Sequence, residues 1–391
     1  MATTRQLTLM NRTHPVCDIE FIHENSFVSR ILRMHDDGAY GPLSFRWLDD
    51  QARLVFFRNW WGNRAIPDTR PNLSESLIKL GVASAAELAS VGFGLSLSDQ
   101  YWIKDVNEDI DWHSINYFEH PFSDEVGRLL MSPSIEMGQF AGSTAAPSNT
   151  TDGVLPKRWS IIDGEITMLK GATPILFQEP YNELIATHLY SLLLDSKRYV
   201  NYRLYNDGSE IISACPNMLN SHEEFIPALY LAFPDGRSSH KLMPEQVSTV
   251  CIDLGIDDMQ TFVSQFIVCD YILANRDRHL RNFGIIRDVD SMQFRIGPLF
   301  DSGAALWNDV NTLVGGGKLD YSSRPFHRIP EQQLDVVSDW EWFDSTKLEG
   351  FDSYLFQTLV EGPLKGDQIR TEIIVRAVQA RINTVISHRD K

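Results

Sequence analysis

Asp277, Asn282 and Asp301 are the residues on which chemistry is most readily built. Asp277 and Asn282 stand five residues apart in Asp270-Tyr-Ile-Leu-Ala-Asn-Arg-Asp-Arg-His-Leu-Arg-Asn-Phe-Gly284, where a long apolar stretch ends in a cluster of polar side chains. Polar groups gathered at an element boundary need a reason, and metal-assisted transfer of a phosphoryl group supplies one. Magnesium prefers hard oxygen ligands, one or two from carboxylates or amides and the rest from phosphate and water. Asn282 and Asp301, the latter within Gly297-Pro-Leu-Phe-Asp-Ser-Gly303, are expected to hold that metal. Asp277, left free of metal, is expected to orient an attacking hydroxyl and accept its proton late in a loose transition state.

The phosphates of ATP ask for cations. Lys170 is the expected partner of the α- and β-phosphates, directed by Glu183, with Glu179 one turn earlier as the competing partner. Ser148, Asn149 and Thr150 lie in a stretch of small and turn-forming residues, 142–153, expected to cover the phosphates with backbone N–H groups and hydroxyls. Lys157 adds a second charge at its end, although the stretch lacks GxGxxG spacing. His279 has no second His or Cys at ligand spacing, so it is expected to brace the loop around Asp277. The backbone at Cys215-Pro216-Asn217, where two lobes would join, is expected to meet adenine. Taken singly, each polar residue reads as an ordinary cap or turn. Their order along the chain is what argues for a site.

These side chains need elements to hold them. Lys157–Ile162 and Glu165–Lys170 read as strands joined by an Asp163-Gly164 turn, and 179–194 has helical spacing. A second hairpin is expected over 200–205 and 210–215, and a small one over 283–286 and 293–296. Apolar periodicity predicts helices over 257–273 and 367–387. The first 140 residues suggest strands at 43–47 and 54–57 and helices at 74–80 and 85–91. Trp47, Trp60 and Trp61 are expected mainly in a core.

The run Asn275-Arg-Asp-Arg-His-Leu-Arg-Asn-Phe-Gly284, followed by Pro298-Leu-Phe-Asp-Ser-Gly303, resembles the HipA-type kinase family from about Asn149 to Trp307. The resemblance implies a two-lobed fold related to protein kinases and phosphatidylinositol kinases, and phosphorylation of Ser or Thr in proteins. It implies that Asp277, His279 and Asn282 form the Asp-x-His-x-x-Asn catalytic loop, that Asp301 is the later metal ligand and that Lys170 meets ATP. Asp301-Ser-Gly303 stands where conventional protein kinases have Asp-Phe-Gly, and Asn275-Arg-Asp277 where they have His-Arg-Asp. The N-terminal region has no match to the partner-binding part of HipA toxins.

The expected fold class is therefore α+β, with an N-terminal α/β appendage over 1–140, an ATP-binding lobe over 141–218 and a helical catalytic lobe over 219–391. Residues 308–328 occupy the place of an activation segment, with flexibility expected at Gly315–Gly317 and autophosphorylation at Ser148, Ser322 or Ser323. A formal charge of −17 and the lack of a basic run argue against nucleic acid and against anionic membranes. Four dispersed cysteines with no CxxC pair read as buried, reduced thiols. No run of about 18 apolar residues occurs, so a soluble cytoplasmic protein is expected; the resemblance implies a Ser/Thr protein substrate and allows a regulatory protein partner. A lipid or small-molecule kinase, a nucleotide-binding pseudokinase and an adenylyl transferase are the alternatives.

Overall fold

The computed structural model describes residues 4–22, 27–132, 140, 142–208, 210–236, 242–313 and 319–391. Gly315–Gly317, and the flexibility expected of them, lie outside the described residues. The chain begins with strands β1 (Thr4–Asn11), β2 (His14–Ile22) and β3 (Phe27–Met34), then helices α1 (Asp50–Gly62), α2 (Leu73–Leu80) and α3 (Ala85–Val91). Strand β4 (Tyr101–Asp105) and helix α4 (Glu125–Met131) follow, then β5 (Lys157–Ile162), β6 (Glu165–Lys170) and α5 (Glu179–Leu193). Next come β7 (Arg203–Asn206), β8 (Ile211–Pro216), β9 (Glu223–Pro227), α6 (Ala228–Ala232), α7 (Pro244–Asp253) and α8 (Met259–Leu273). Strands β10 (Gly284–Asp288) and β11 (Phe294–Ile296) precede α9 (Pro330–Leu334), α10 (Phe351–Glu361) and α11 (Gln368–Arg389).

Packing groups these elements, a mixed α+β set, into two compact units. The first comprises Met1–Lys170, Pro216–Ser238 and Ile286–Gln293; the second comprises Gly171–Cys215, Ser239–Ile285 and Phe294–Lys391.

In the first unit β3, β2, β1 and β4 form an antiparallel sheet in that order. The α/β character expected of residues 1–140 is thereby corrected, since neighbouring strands run antiparallel and need no crossover helices. Phe56, Phe57 and Trp61 of α1 seal one face against Leu9, Val16 and Ile19. The strands expected at 43–47 and 54–57 are helical instead: a 3-10 turn over Leu43–Arg46, then α1. Asp49 caps α1 by accepting the Ala52 N–H at 2.8 Å, and the aromatic run packs at helical spacing despite its preference for strands. Trp61 is core, Trp60 packs against it and Trp47 is exposed. A second cluster joins α2, α3 and α4 through Leu73, Leu80, Leu88, Val126 and Leu129, and takes in Ala146. A third places Trp159 of β5 with Trp102 and Trp112. Arg287, fully buried, pairs with Glu224 at 2.8 Å and donates to Tyr101 Oη at 2.9 Å.

The β5–β6 hairpin matches its expected bounds, with Asp163 and Gly164 both at positive φ (53° and 82°) as a tight right-twisted hairpin turn requires.

In the second unit α8 is buried on nearly every face, and Asp270 is its one charged residue. α11 lays Ile373, Ile374, Ala377, Val378 and Val385 into the core. The hairpin expected over 200–205 is shorter, because Val200 instead donates its N–H to Leu299 O at 2.8 Å. Cys17, Cys215, Cys251 and Cys269 are buried and form no disulfide. Among the described residues no helix is long and apolar enough to cross a membrane.

Candidate active site

Helix α8 ends at Ala274, which takes a left-handed conformation (φ 51°) and turns the chain out of the helix. Asn275 locks that turn: its Nδ2 donates to Asp270 Oδ1 at 2.8 Å and its Oδ1 accepts the Asp277 N–H at 3.1 Å. A carboxylate inside an apolar helix must find donors, and the second donor is Arg278. Arg278 Nε lies 2.8 Å from Asp270 Oδ2 and Nη2 lies 3.1 Å from Oδ1, with the guanidinium fully buried. Burial alone pulls its pKa down, but Asp270, Tyr190 and Asp301 hold it above the ordinary arginine value. Its remaining N–H groups donate to Asn282 O (2.9 Å), Phe300 O (2.5 Å) and Ser302 Oγ (2.9 Å). One side chain thus joins the Asp277–Asn282 loop to the Phe300–Asp301–Ser302 turn.

Within the loop, Asn282 Nδ2 donates to Asp277 O at 2.9 Å, which leaves Oδ1 as the amide's acceptor atom. His279 donates its N–H to Asp277 O at 2.7 Å, and its Nδ1 accepts the Arg281 N–H at 3.2 Å. Its Nε2 stands 4.0 Å from Asp277 Oδ2. Asp277 Oδ1 meets Arg324 Nη1 at 3.2 Å, and both side chains are substantially exposed.

Asp301 sits at positive φ (60°), a conformation Asp tolerates better than most residues, and donates its N–H to Tyr202 Oη at 3.3 Å. Helix α5 braces the residues that follow. Glu183 Oε2 accepts the Ser302 N–H at 2.9 Å, and Asn182 Nδ2 donates to Gly303 O and Ala305 O, each at 2.8 Å. Glu179 Oε1 accepts from Thr173 Oγ1 at 2.5 Å and Asn308 Nδ2 at 3.1 Å. A Cβ at Gly303 would come within 3.3 Å of the Glu179 carbonyl oxygen, so this turn is pressed against the helix. Among the described residues no three or more His, Cys, Asp or Glu gather as a metal site. A magnesium ion needs fewer, and the oxygens of Asn282 and Asp301 fit its preference for hard ligands completed by phosphate and water.

The other expected residues belong to the first unit, Cys215 excepted. Lys157 and Lys170 are directly opposite each other across β5 and β6, which concentrates positive charge at one end of the hairpin. Lys157 also reaches back over Gly153, where a Cβ would lie 2.6 Å from Nζ and φ is +91°. Ser148, Asn149 and Thr150 form a buried 3-10 turn whose side chains serve the protein's own backbone. Ser148 Oγ accepts the Trp159 N–H at 3.1 Å, Asn149 Nδ2 donates to Leu88 O at 3.1 Å, and Thr150 Oγ1 donates to Leu95 O at 3.1 Å. Their hydroxyls are therefore structural, not turned outward as a cover for phosphates. Asn217 is likewise engaged, donating Nδ2 to Leu97 O and its N–H to Ile166 O. Cys215 is a buried residue of β8 in the second unit.

Sequence reasoning missed two arginines. Arg278 left a signal: a lone Asp in an otherwise apolar helix eight residues earlier requires a buried partner. Arg70 left none. It is 3% exposed and donates to Thr151 O (2.6 Å), Thr151 Oγ1 (3.0 Å) and Gly153 O (2.8 Å from Nη2, 3.1 Å from Nε). Burial lowers its pKa to about 10, with Asp152 acting in the opposite direction.

In the segment after the turn, Ser322 is exposed, whereas Ser323 is buried and donates Oγ to His327 O at 2.7 Å. Arg381 stacks on Tyr271, Trp307 and Tyr321 and fixes the segment against α8 and α11.

No protein-family model matches the chain. It is distantly similar to the serine/threonine-protein kinase CtkA of Helicobacter pylori (strain J99), at 28% identity over 100 residues, 26% of this chain. The match spans 30% of that relative's own length. The crystal structure of a Helicobacter pylori proinflammatory kinase CtkA matches with a TM-score of 0.43 and 15% identity, covering 60% of this chain and 94% of that one.

Proposed function

We propose that this chain is an ATP- and magnesium-dependent phosphotransferase that phosphorylates Ser or Thr hydroxyls of a protein, in the manner of HipA-type kinases. The observation that carries the reading is the Arg278 guanidinium. It bonds both to Asn282 O, in the loop that begins at Asp277, and to Phe300 O, beside Asp301. The distant similarity to a serine/threonine-protein kinase supports the same reading.

In this account Asn282 Oδ1 and the Asp301 carboxylate hold magnesium, which when bound neutralises charge on the phosphates. Asp277 orients the acceptor hydroxyl and takes its proton, a task for which a carboxylate is sufficient in a loose transition state. His279 keeps the Asp277 backbone in register. Lys170 and Lys157 carry the positive charge for the phosphates, and Glu183 fixes the Asp301–Ser302 turn from α5. Residues 141–218 would act as the nucleotide lobe and 219–391 as the catalytic lobe.

The test is transfer from ATP labelled in turn at the γ- and α-phosphate, with magnesium and a generic Ser/Thr protein acceptor. The account expects γ-label on protein. Stable α-label instead would replace it with adenylyl transfer.

A further inference from the structure

The N-terminal region has had no role so far, yet its side chains hold the loop in front of Lys157. Every Arg70 contact named above falls on Thr151 or Gly153, the residues between the buried 3-10 turn and β5. Arg70 itself is fixed by short turns, its N–H donating to Pro67 O and its carbonyl accepting from Leu73, the first residue of α2. From α2, Ser76 Oγ donates to Leu129 O in α4, and α4 carries Gly127, where any Cβ would lie 2.7 Å from Ser148 Oγ. The turn is thus gripped at both ends, by Arg70 at Thr151–Gly153 and by α4 at Ser148. Asn149 and Thr150 add bonds to the carbonyls of Leu88 and Leu95.

We infer that Arg70 is a positioning residue for the nucleotide phosphates, acting through Lys157, and that α2 and α4 are an integral support of the 151–157 segment that presents Lys157. The inference deepens the phosphotransferase reading and rests on it. A segment that presents a cation to a polyphosphate must hold one arrangement before the ligand arrives, because ordering it on binding would subtract from affinity. Backbone carbonyls are the groups that a bound anion would repel. Arg70 ties two of them, Thr151 O and Gly153 O, to a buried guanidinium and so fixes which way these peptide units face. Gly153, at φ +91° beneath Lys157 Nζ, is the point where the chain bends so that the cation lies over the loop. Arg70 makes no contact with ligand in this scheme; it acts through Thr151 and Gly153.

The experiment uses the full chain as wild type, Arg70→Lys, Arg70→Gln and Thr151→Val, the last removing one Arg70 acceptor, together with the Thr151 Oγ1 bond to Ser148 O, while leaving the buried arginine in place. Binding of a fluorescent N-methylanthraniloyl ATP with magnesium is measured, together with hydrogen exchange of amides 148–157 and steady-state kinetics. The expected result is that folded variants bind about tenfold more weakly or worse at Arg70, with a smaller loss at Thr151→Val. KM for ATP should rise more than kcat falls, and exchange should quicken at 151–157. Lysine should not rescue, since it cannot span two carbonyls and a hydroxyl with a fixed fork. Folded variants with wild-type affinity and wild-type exchange overturn the inference while leaving the phosphotransferase reading intact. If Arg70→Gln does not fold, Thr151→Val decides in the same terms. A wild-type chain that binds no nucleotide overturns the underlying reading and this inference with it.

Discussion

Arg278 and Asp270 form a two-pronged ion pair, Nε to Oδ2 at 2.8 Å and Nη2 to Oδ1 at 3.1 Å, with both side chains almost wholly buried. The pair lies one residue past Asp277 at one end and inside an apolar helix at the other. Desolvating two charges is repaid only by good geometry and by partners for the remaining N–H groups, which Asn282 O, Phe300 O and Ser302 Oγ provide. Replacing Arg278 by Met leaves Asp270 buried without its counter-charge. The expected loss is about 3–5 kcal/mol of unfolding free energy, read from urea denaturation, and a change under about 1 kcal/mol would contradict the hub.

The Arg324–Asp277 pair is different in kind, because both partners are exposed to solvent. Such a pair is worth about 0.2–1 kcal/mol, so Arg324→Ala should barely move the melting temperature. It should nevertheless release the Asp277 carboxylate for an acceptor hydroxyl, raising turnover by up to about fivefold. An unchanged or lower turnover in a folded variant would show that the contact does not compete with the acceptor.

Self-phosphorylation, if the chain carries it out at the expected serines, should fall on Ser322. Ser148 and Ser323 are 1% and 2% exposed and their hydroxyls are held by protein partners, whereas Ser322 is exposed. Phosphopeptide mapping of Ser148→Ala, Ser322→Ala and Ser323→Ala should show phosphate lost only in the second. Phosphate retained in Ser322→Ala and lost in either of the others would contradict this.

Burial pushes the Cys17 and Cys251 thiols up to about 12, with Asp18 and Asp258 adding to the effect, and raises Cys269 as well. Because the folded pKa is raised, the folded state favours the neutral thiol. That contribution is fully present below the unfolded value of about 8.5 and is lost as pH rises through about 12. At pH 8 a disulfide reagent should titrate the four cysteines quickly in denaturant, and about 100-fold more slowly in the native chain. Four fast thiols without denaturant would contradict the burial.

Local signals carried the parts of this fold that the sequence made legible. Asp163-Gly164 announces a turn because both residues must adopt positive φ, and the strands beside it follow from alternation. The β1–β4 sheet was not legible, since β1 pairs with β4 across about ninety residues and no local pattern encodes that partner. At the candidate site, Arg278 joins the Asp277–Asn282 loop to the turn that carries Asp301, residues the sequence groups by type and order. Ser148, Asn149 and Thr150 read as a ligand loop for the opposite reason. Their composition is that of a turn, but the partners that bury them, Leu88 and Leu95, lie far back in the chain. Glu179 and Glu183 could not be told apart by spacing. The structure separates their tasks, giving Ser302 N–H to Glu183 and Asn308 to Glu179.

The central claim is that Asp277, Asn282 and Asp301 transfer phosphate, and intact mass after incubation with ATP and magnesium tests it most directly. Wild type, Asp277→Asn and Asp301→Ala are compared, each with a generic Ser/Thr protein present. The account predicts phosphoryl additions to the chain or the acceptor in wild type that vanish in both variants. Additions that persist in folded Asp277→Asn and Asp301→Ala would contradict it, as would wild-type protein that binds ATP and yields no phosphoprotein at all.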